Sequence, residues 1–178
     1  MTASENPLIL TLALDANSSE FFNQLRQQHF PPERNYLNAH LTLFHQLPRA
    51  EENQIMATLR EVSAQYGPLS LSVAEVRLLG KGVAYYIKSQ VLQQLHRQLQ
   101  KRWKPYLTAQ DQQKLWPHVT IQNKVTPEAA KSLHEQLSSD FEPFVATGTG
   151  FRLWEYQGGP WQSLQEYAFK RHTSAQET

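Results

Sequence analysis

A chain of 178 residues, 40% hydrophobic and 19% charged, is long enough to bury one full core, and its formal net charge of +1 offers no clustered basic face for a DNA duplex. The absence of cysteine excludes disulfides, thiolate metal sites and a thiol nucleophile. A soluble, globular, cytoplasmic protein is the expectation, with a small anionic ligand or the end of an RNA left open as partner. Residues 1–6 lack a basic leader segment, and the apolar run 8–14 is too short to span a bilayer, so no membrane partner is expected.

Leu8-Ile9-Leu10-Thr11-Leu12-Ala13-Leu14 reads as a buried central strand ended by Asp15. Asn17-Ser18-Ser19 offers cap residues for a helix to about residue 28, with Phe21, Phe22 and Leu25 on its apolar face. Pro31 and Pro32 break it. A strand follows the loop 33–39 and stops at Pro48. Ile55, Leu59 and Val62 mark a helix over 49–65, and Gly67-Pro68 turns the chain. Leu69-Ser70-Leu71-Ser72-Val73 alternates as a half-buried strand, and Gly80-Lys81-Gly82 turns into the strand 83–88. Leu92, Leu95, Leu99 and Trp103 predict a helix that Pro105 stops. A short polar helix is expected over 108–114. Thr126-Pro127-Glu128 is a cap, a first-turn proline and an acid facing the helix dipole. Two strands close the chain, about 144–156 and 161–170, joined by Gly158-Gly159-Pro160. The tail from His172 is expected to fray.

One pattern occurs twice. His40-Leu41-Thr42-Leu43 and His118-Val119-Thr120-Ile121 both read His, apolar, Thr, apolar. Strand alternation puts His and Thr on one face and the two aliphatics on the other. Each half of the chain carries one copy, followed by a helix and paired strands. That order predicts an α+β fold of two similar lobes with mostly antiparallel sheets. Imidazole exchanges protons near neutrality, so two of them across a phosphodiester suit general acid–base catalysis, and the Thr hydroxyls can donate to phosphate oxygens. No acid stands at ligand spacing beside either His, so a metal pair ranks lower. His29, His45, His96, His134 and His172 read as ordinary half-buried polar residues. Phe44 and Gln122 share the parity of the His/Thr faces. Tyr36 and Trp161 are further candidates for substrate contact, because a nucleobase needs an aromatic platform. Tyr85 and Tyr86 lie on opposite strand faces, so only one can look into a cleft.

These twin motifs resemble those of the 2H phosphoesterase superfamily, which includes the bacterial 2′-5′ RNA ligases and cyclic phosphodiesterases. The resemblance extends to Pro117 before the second His and to the closing strand pair around Trp154 and Trp161. It implies one bilobal domain over residues 1–178 with pseudo-twofold symmetry and a central cleft. It also implies chemistry that needs no metal or cofactor, on a nucleotide or RNA-end phosphodiester: a 2′,3′-cyclic phosphate or ADP-ribose 1″,2″-cyclic phosphate. Carried over, His40 and His118 are the acid–base pair, and Thr42 and Thr120 hold the phosphate. A monomer is expected. The alternatives are reversible 2′-5′ RNA ligation and a non-catalytic AMP-binding module of the same fold. Some ligase-like members carry an Arg shortly after the second motif. Here Gln122-Asn123-Lys124 follows instead, a departure from the ligase subgroup.

Overall fold

The first apolar run forms β1 (Leu8–Leu14), and Asp15, not the Asn-Ser-Ser run after it, caps α1 (Ala16–His29) by accepting the Ser18 N–H at 3.1 Å. Asp15 also accepts the Thr147 N–H at 2.8 Å, so one carboxylate starts the helix and ties its start to a distant strand. The elements that follow are β2 (Leu41–Leu47), α2 (Glu52–Gln65), β3 (Leu69–Leu78), β4 (Val83–Lys88), α3 (Gln90–Trp103), β5 (His118–Gln122), α4 (Pro127–Ser139), β6 (Phe144–Tyr156) and β7 (Trp161–Ala168). The computed structural model describes residues 5–171, so the tail from His172 lies outside the described residues. No described helix is long and apolar enough to cross a membrane.

Thr126 caps α4 by accepting the Ala129 N–H at 3.1 Å, and Leu92, Leu95, Leu99 and Trp103 of α3 are fully buried, as their spacing predicts. The polar helix expected over 108–114 does not form. That stretch makes hydrogen-bonded turns, Gln112 N–H to Thr108 O at 3.1 Å and Gln113 N–H to Gln110 O at 3.2 Å. It is too short to offset helix nucleation, and Asp111 is drawn away to β2.

The fold is α+β. Among the described residues, seven strands form one antiparallel sheet in the order β2-β1-β6-β3-β4-β5, with β7 also paired to β6. It divides into β2-β1-β6, with β7 also on β6, and β3-β4-β5, joined where β6 meets β3. The motif strands β2 and β5 are therefore the two ends of the sheet. The sheet curls until those ends approach each other. Strands at opposite edges thus become the facing walls of one cleft.

Both motif strands bulge at the same place. Thr42 pairs with Thr11, but Leu10 pairs with Phe44, which leaves Leu43 as an extra residue. Thr120 pairs with Ala84, but Val83 pairs with Gln122, which leaves Ile121 extra. The extra residue is the fourth of each motif, and a bulge shifts every later side chain to the other face. A Cβ at Gly82 would collide with the Gln122 carbonyl, so only glycine admits the close approach at the β5 bulge.

The halves are cross-tied at these bulges. Arg26 of α1 is buried and donates from a terminal nitrogen to the Thr120 carbonyl at 2.9 Å. Its Nε donates to Asn35 Oδ1 at 2.8 Å and the Leu37 carbonyl at 3.0 Å, and the guanidinium sits over the Phe30 ring. In the other direction, His96 of α3 donates from Nε2 to the Leu43 carbonyl at 2.9 Å. Its ring stacks on Phe44 with centroids 4.6 Å apart. Each half therefore sends a helix side chain to the bulge of the opposite motif strand. Truncating Arg26 strands three oxygens at once. Arg26→Met is expected to lose about 2–4 kcal/mol in urea unfolding, and an unchanged midpoint would show that the cross-tie carries no stability.

Candidate functional site

The two motif histidines are held in the same way. His40 Nδ1 lies 2.8 Å from the Asn38 carbonyl, and His118 Nδ1 lies 2.7 Å from the Trp116 carbonyl. A carbonyl only accepts, so Nδ1 carries the proton in both rings. Nε2 is then the nitrogen left for chemistry. In each case the acceptor belongs to the residue two positions before the histidine. The local turn into the strand therefore fixes the tautomer before any tertiary contact acts.

The walls interlock across the cleft. One depression is lined by Thr42 together with His118 and Trp116. A second is lined by Thr120 together with His40 and Tyr36. A third, beside it, runs from His40 and Tyr36 to Trp154 and Trp161. Each motif threonine thus shares a depression with the histidine of the other motif. The histidines are close enough that a charge on His118 disfavours a charge on His40.

Each histidine has a tryptophan beside it. The rings of His40 and Trp161 are 4.7 Å apart, and those of His118 and Trp116 are 4.3 Å apart. Trp116 in turn stacks against Tyr86, while Tyr85 is buried in the core. Trp161 and Tyr36 both line a depression at His40, and Tyr36 is 64% exposed. Trp116 belongs with them.

Two expected contacts fail. Phe44 is 0% exposed and packs against His96 and Trp103. Gln122 is 7% exposed. The bulges reverse their parity and turn both into the interior. In their place the bulges bring out His45 and Asn123. His45 lines the Thr42/His118 depression and Asn123 lines the Thr120/His40 depression. His96 is a buried structural part of the cross-tie, and His45 is a half-exposed polar residue bonded to Asp111. Lys124, in the left-handed region at φ 61°, lines the same side as Asn123.

Burial drives the electrostatics. It pushes His40 down to about 4, with the Asn38 carbonyl opposing and the charges of Arg26, His118 and His45 adding to the fall. His118 is also lowered, again chiefly by burial. Arg26 is pushed down to about 10 by burial and stays charged at neutral pH. No described carboxylate pairs with it. The empty cleft at neutral pH thus holds two neutral imidazoles near an uncompensated buried cation. An anion entering it restores the protonation of an imidazole, because opposite charge favours the charged form. Among the described residues, no group of three or more His, Asp or Glu side chains is placed to hold a metal ion.

The family model of the 2′-5′ RNA ligase superfamily matches residues 14–160. Among solved structures, the chain is similar to TT0787 of Thermus thermophilus, with a TM-score of 0.65 and 13% identity over 92% of this chain and 98% of that one. It is similar to E. coli LigT in apo form, with a TM-score of 0.62 and 18% identity over 95% of this chain and 100% of that one. LigT complexed with 3′-AMP matches with a TM-score of 0.60 and 18% identity, over 94% and 100% of the two chains. At these identities the likeness is one of fold. Among curated proteins, none matches the chain.

The histidine titrations are directly observable. In ring-nitrogen NMR of the ligand-free protein, both histidines should show the Nδ1-protonated tautomer, and His40 should titrate near 4. A His40 midpoint at or above 6.5, the ordinary value, would refute the buried-neutral assignment. Between those two values the unfolded chain binds more protons than the folded one. Stability from this group is therefore full above pH 6.5 and falls as pH drops toward 4.

Proposed function

The chain belongs to the 2′-5′ RNA ligase superfamily, and we propose that it is a metal-independent phosphodiesterase that opens a cyclic phosphodiester of a nucleotide or an RNA end. The observation that carries this reading is the duplicated anchor. Two imidazoles have matching Nδ1–carbonyl bonds two residues back, stand on the opposite ends of one curled sheet, and each share a depression with the other motif's threonine.

In the proposed reaction one neutral imidazole takes a proton from water through Nε2 as the water oxygen bonds to phosphorus. The other, protonated once the anionic substrate is bound, delivers its proton to the departing ribose oxygen. The cyclic diester becomes a monoester and a free hydroxyl, and atoms and charges balance without a further reactant. Thr42 and Thr120 hydroxyls donate to the non-bridging oxygens, where charge builds in the transition state. Arg26 adds positive potential at short range without touching the phosphorus. The histidine roles exchange when the reaction runs backwards, so ligation would use the same groups. Trp161 and Trp116 supply flat surfaces for a base. That E. coli LigT has been crystallised with 3′-AMP supports a nucleoside monophosphate as a ligand for this fold.

His40→Ala and His118→Ala are each expected to lower kcat/KM on 2′,3′-cyclic AMP by about 10²–10⁴-fold with the fold retained, and activity should persist in EDTA. Wild-type turnover in both variants would overturn the site assignment, and loss in EDTA with recovery on added zinc or manganese would favour metal hydrolysis. If no diester turns over but AMP raises Tm, the chain is a binding module. Ligation of 2′-5′ ends without hydrolysis would favour the ligase reading.

With both imidazoles depressed from 6.5, the kcat/KM optimum should lie below pH 6.5. The base must be unprotonated and the acid protonated in the free enzyme, so the bell is displaced downward with the two titrations. An optimum above pH 7 would contradict the assignment.

A further inference from the structure

His45 is brought to the cleft by the β2 bulge and is absorbed by neither motif. Its side chain is 46% exposed, and its Nδ1 lies 3.3 Å from Oδ1 of Asp111, whose side chain is 1% exposed. Asp111 already accepts the backbone N–H groups of His45 and Gln46, each at 2.9 Å. Those bonds satisfy the open edge of β2, so the carboxylate does not need the imidazole as a partner. Its pKa is lowered, with burial opposing and the bonds from His45 and Gln46 prevailing. A buried, ionised carboxylate therefore stands behind Nδ1 and leaves Nε2 facing out.

The surroundings of His45 favour an anion. Its depression also holds Lys114, His118 and the hydroxyl of Thr42, and among the described residues Asp111 is the only acid lining it. The buried His96 lines it too, and its Nδ1 has no hydrogen-bond partner. The charge of His45 is felt at both motif histidines. The two copies are also unequal here. Asn123, the equivalent of His45 after the β5 bulge, is a neutral amide. The cleft is symmetric in its acid–base pair and asymmetric one position beyond each bulge.

We propose that His45 is a third substrate-contacting histidine: held through Nδ1–H by Asp111, its imidazolium donates from Nε2 to a non-bridging phosphate oxygen and draws the phosphate toward the wall of Thr42 and His118. This rests on the phosphodiester reading for the substrate's identity, but phosphate recognition by His45 can be measured without turnover. The contact adds a charge-assisted hydrogen bond to the phosphate. Asp111 acts through His45 as a positioning residue.

Inorganic phosphate titrated into ring-¹⁵N-labelled protein should shift the His45 ring nitrogens. His45→Gln keeps a donor without the charge. It should weaken phosphate about tenfold and raise KM for 2′,3′-cyclic AMP by a similar factor, with a smaller change in kcat. His45→Arg should recover most of the phosphate affinity. The ring is half exposed, so Tm should stay near wild type. If His45→Gln binds phosphate as wild type does, with KM unchanged, the assignment of His45 falls, even where His40 and His118 prove essential. If phosphate binding depends on His45 but no diester turns over, His45 stands and the phosphodiesterase reading falls.

Discussion

A buried guanidinium with no described carboxylate partner holds the cleft together. Arg26 reaches from α1 to the Thr120 carbonyl in one direction and to the loop before His40 in the other. A charge taken out of water is tolerated only when its donors are used, and here three oxygens and an aromatic face use them. The gain is positional. The same side chain touches the segment that delivers one motif and the strand that carries the other. His96 does the reciprocal work at Leu43 with a neutral ring. The distance between the walls is therefore set by side chains from helices, because the motif strands lie at opposite ends of the sheet and share no ladder.

The bulges connect this scaffold to the chemistry. The cross-ties bind carbonyls at the bulges, Thr120 in one strand and Leu43 in the other. Each bulge also ends the alternation that the motif begins. His and Thr stay on the cleft face, the next two residues go inward, and the fifth residue after the motif histidine returns to the cleft. A regular strand would put Phe44 and Gln122 into the site and take His45 and Asn123 out of it. The extra residue after each motif threonine reverses both outcomes.

Electrostatics follow from the same packing. Burial lowers both imidazoles in the empty cleft, and the charges of Arg26 and His118 add to the fall at His40. In the proposed reaction, binding a phosphate and gaining a proton become one event. A cleft of exposed, protonated histidines would attract phosphate as strongly at long range but would lack the free base.

Local patterns in the chain were enough to define most elements. The apolar run of β1, the Leu92/Leu95/Leu99/Trp103 stripe, the Thr126-Pro127 cap and the turns at Gly80 and Gly158 act over a few residues, and the observed elements follow them closely. The twin His-x-Thr motifs, their cleft-facing parity and their Nδ1 anchors are local as well, since each acceptor lies two residues away. The bulges, the cross-ties and the tryptophan beside His40 arise otherwise. Leu43 becomes an extra residue only because β1 pairs in one register, Ile121 only because β4 does, and Trp161 reaches His40 only because the sheet curls. Pairing register and curvature are properties of hydrogen bonds between distant strands, which no periodicity within one strand contains. Short-range pattern was therefore enough to pick the two histidines that face the cleft, whereas strand pairing across the sheet keeps Phe44 from joining them and brings His45 in.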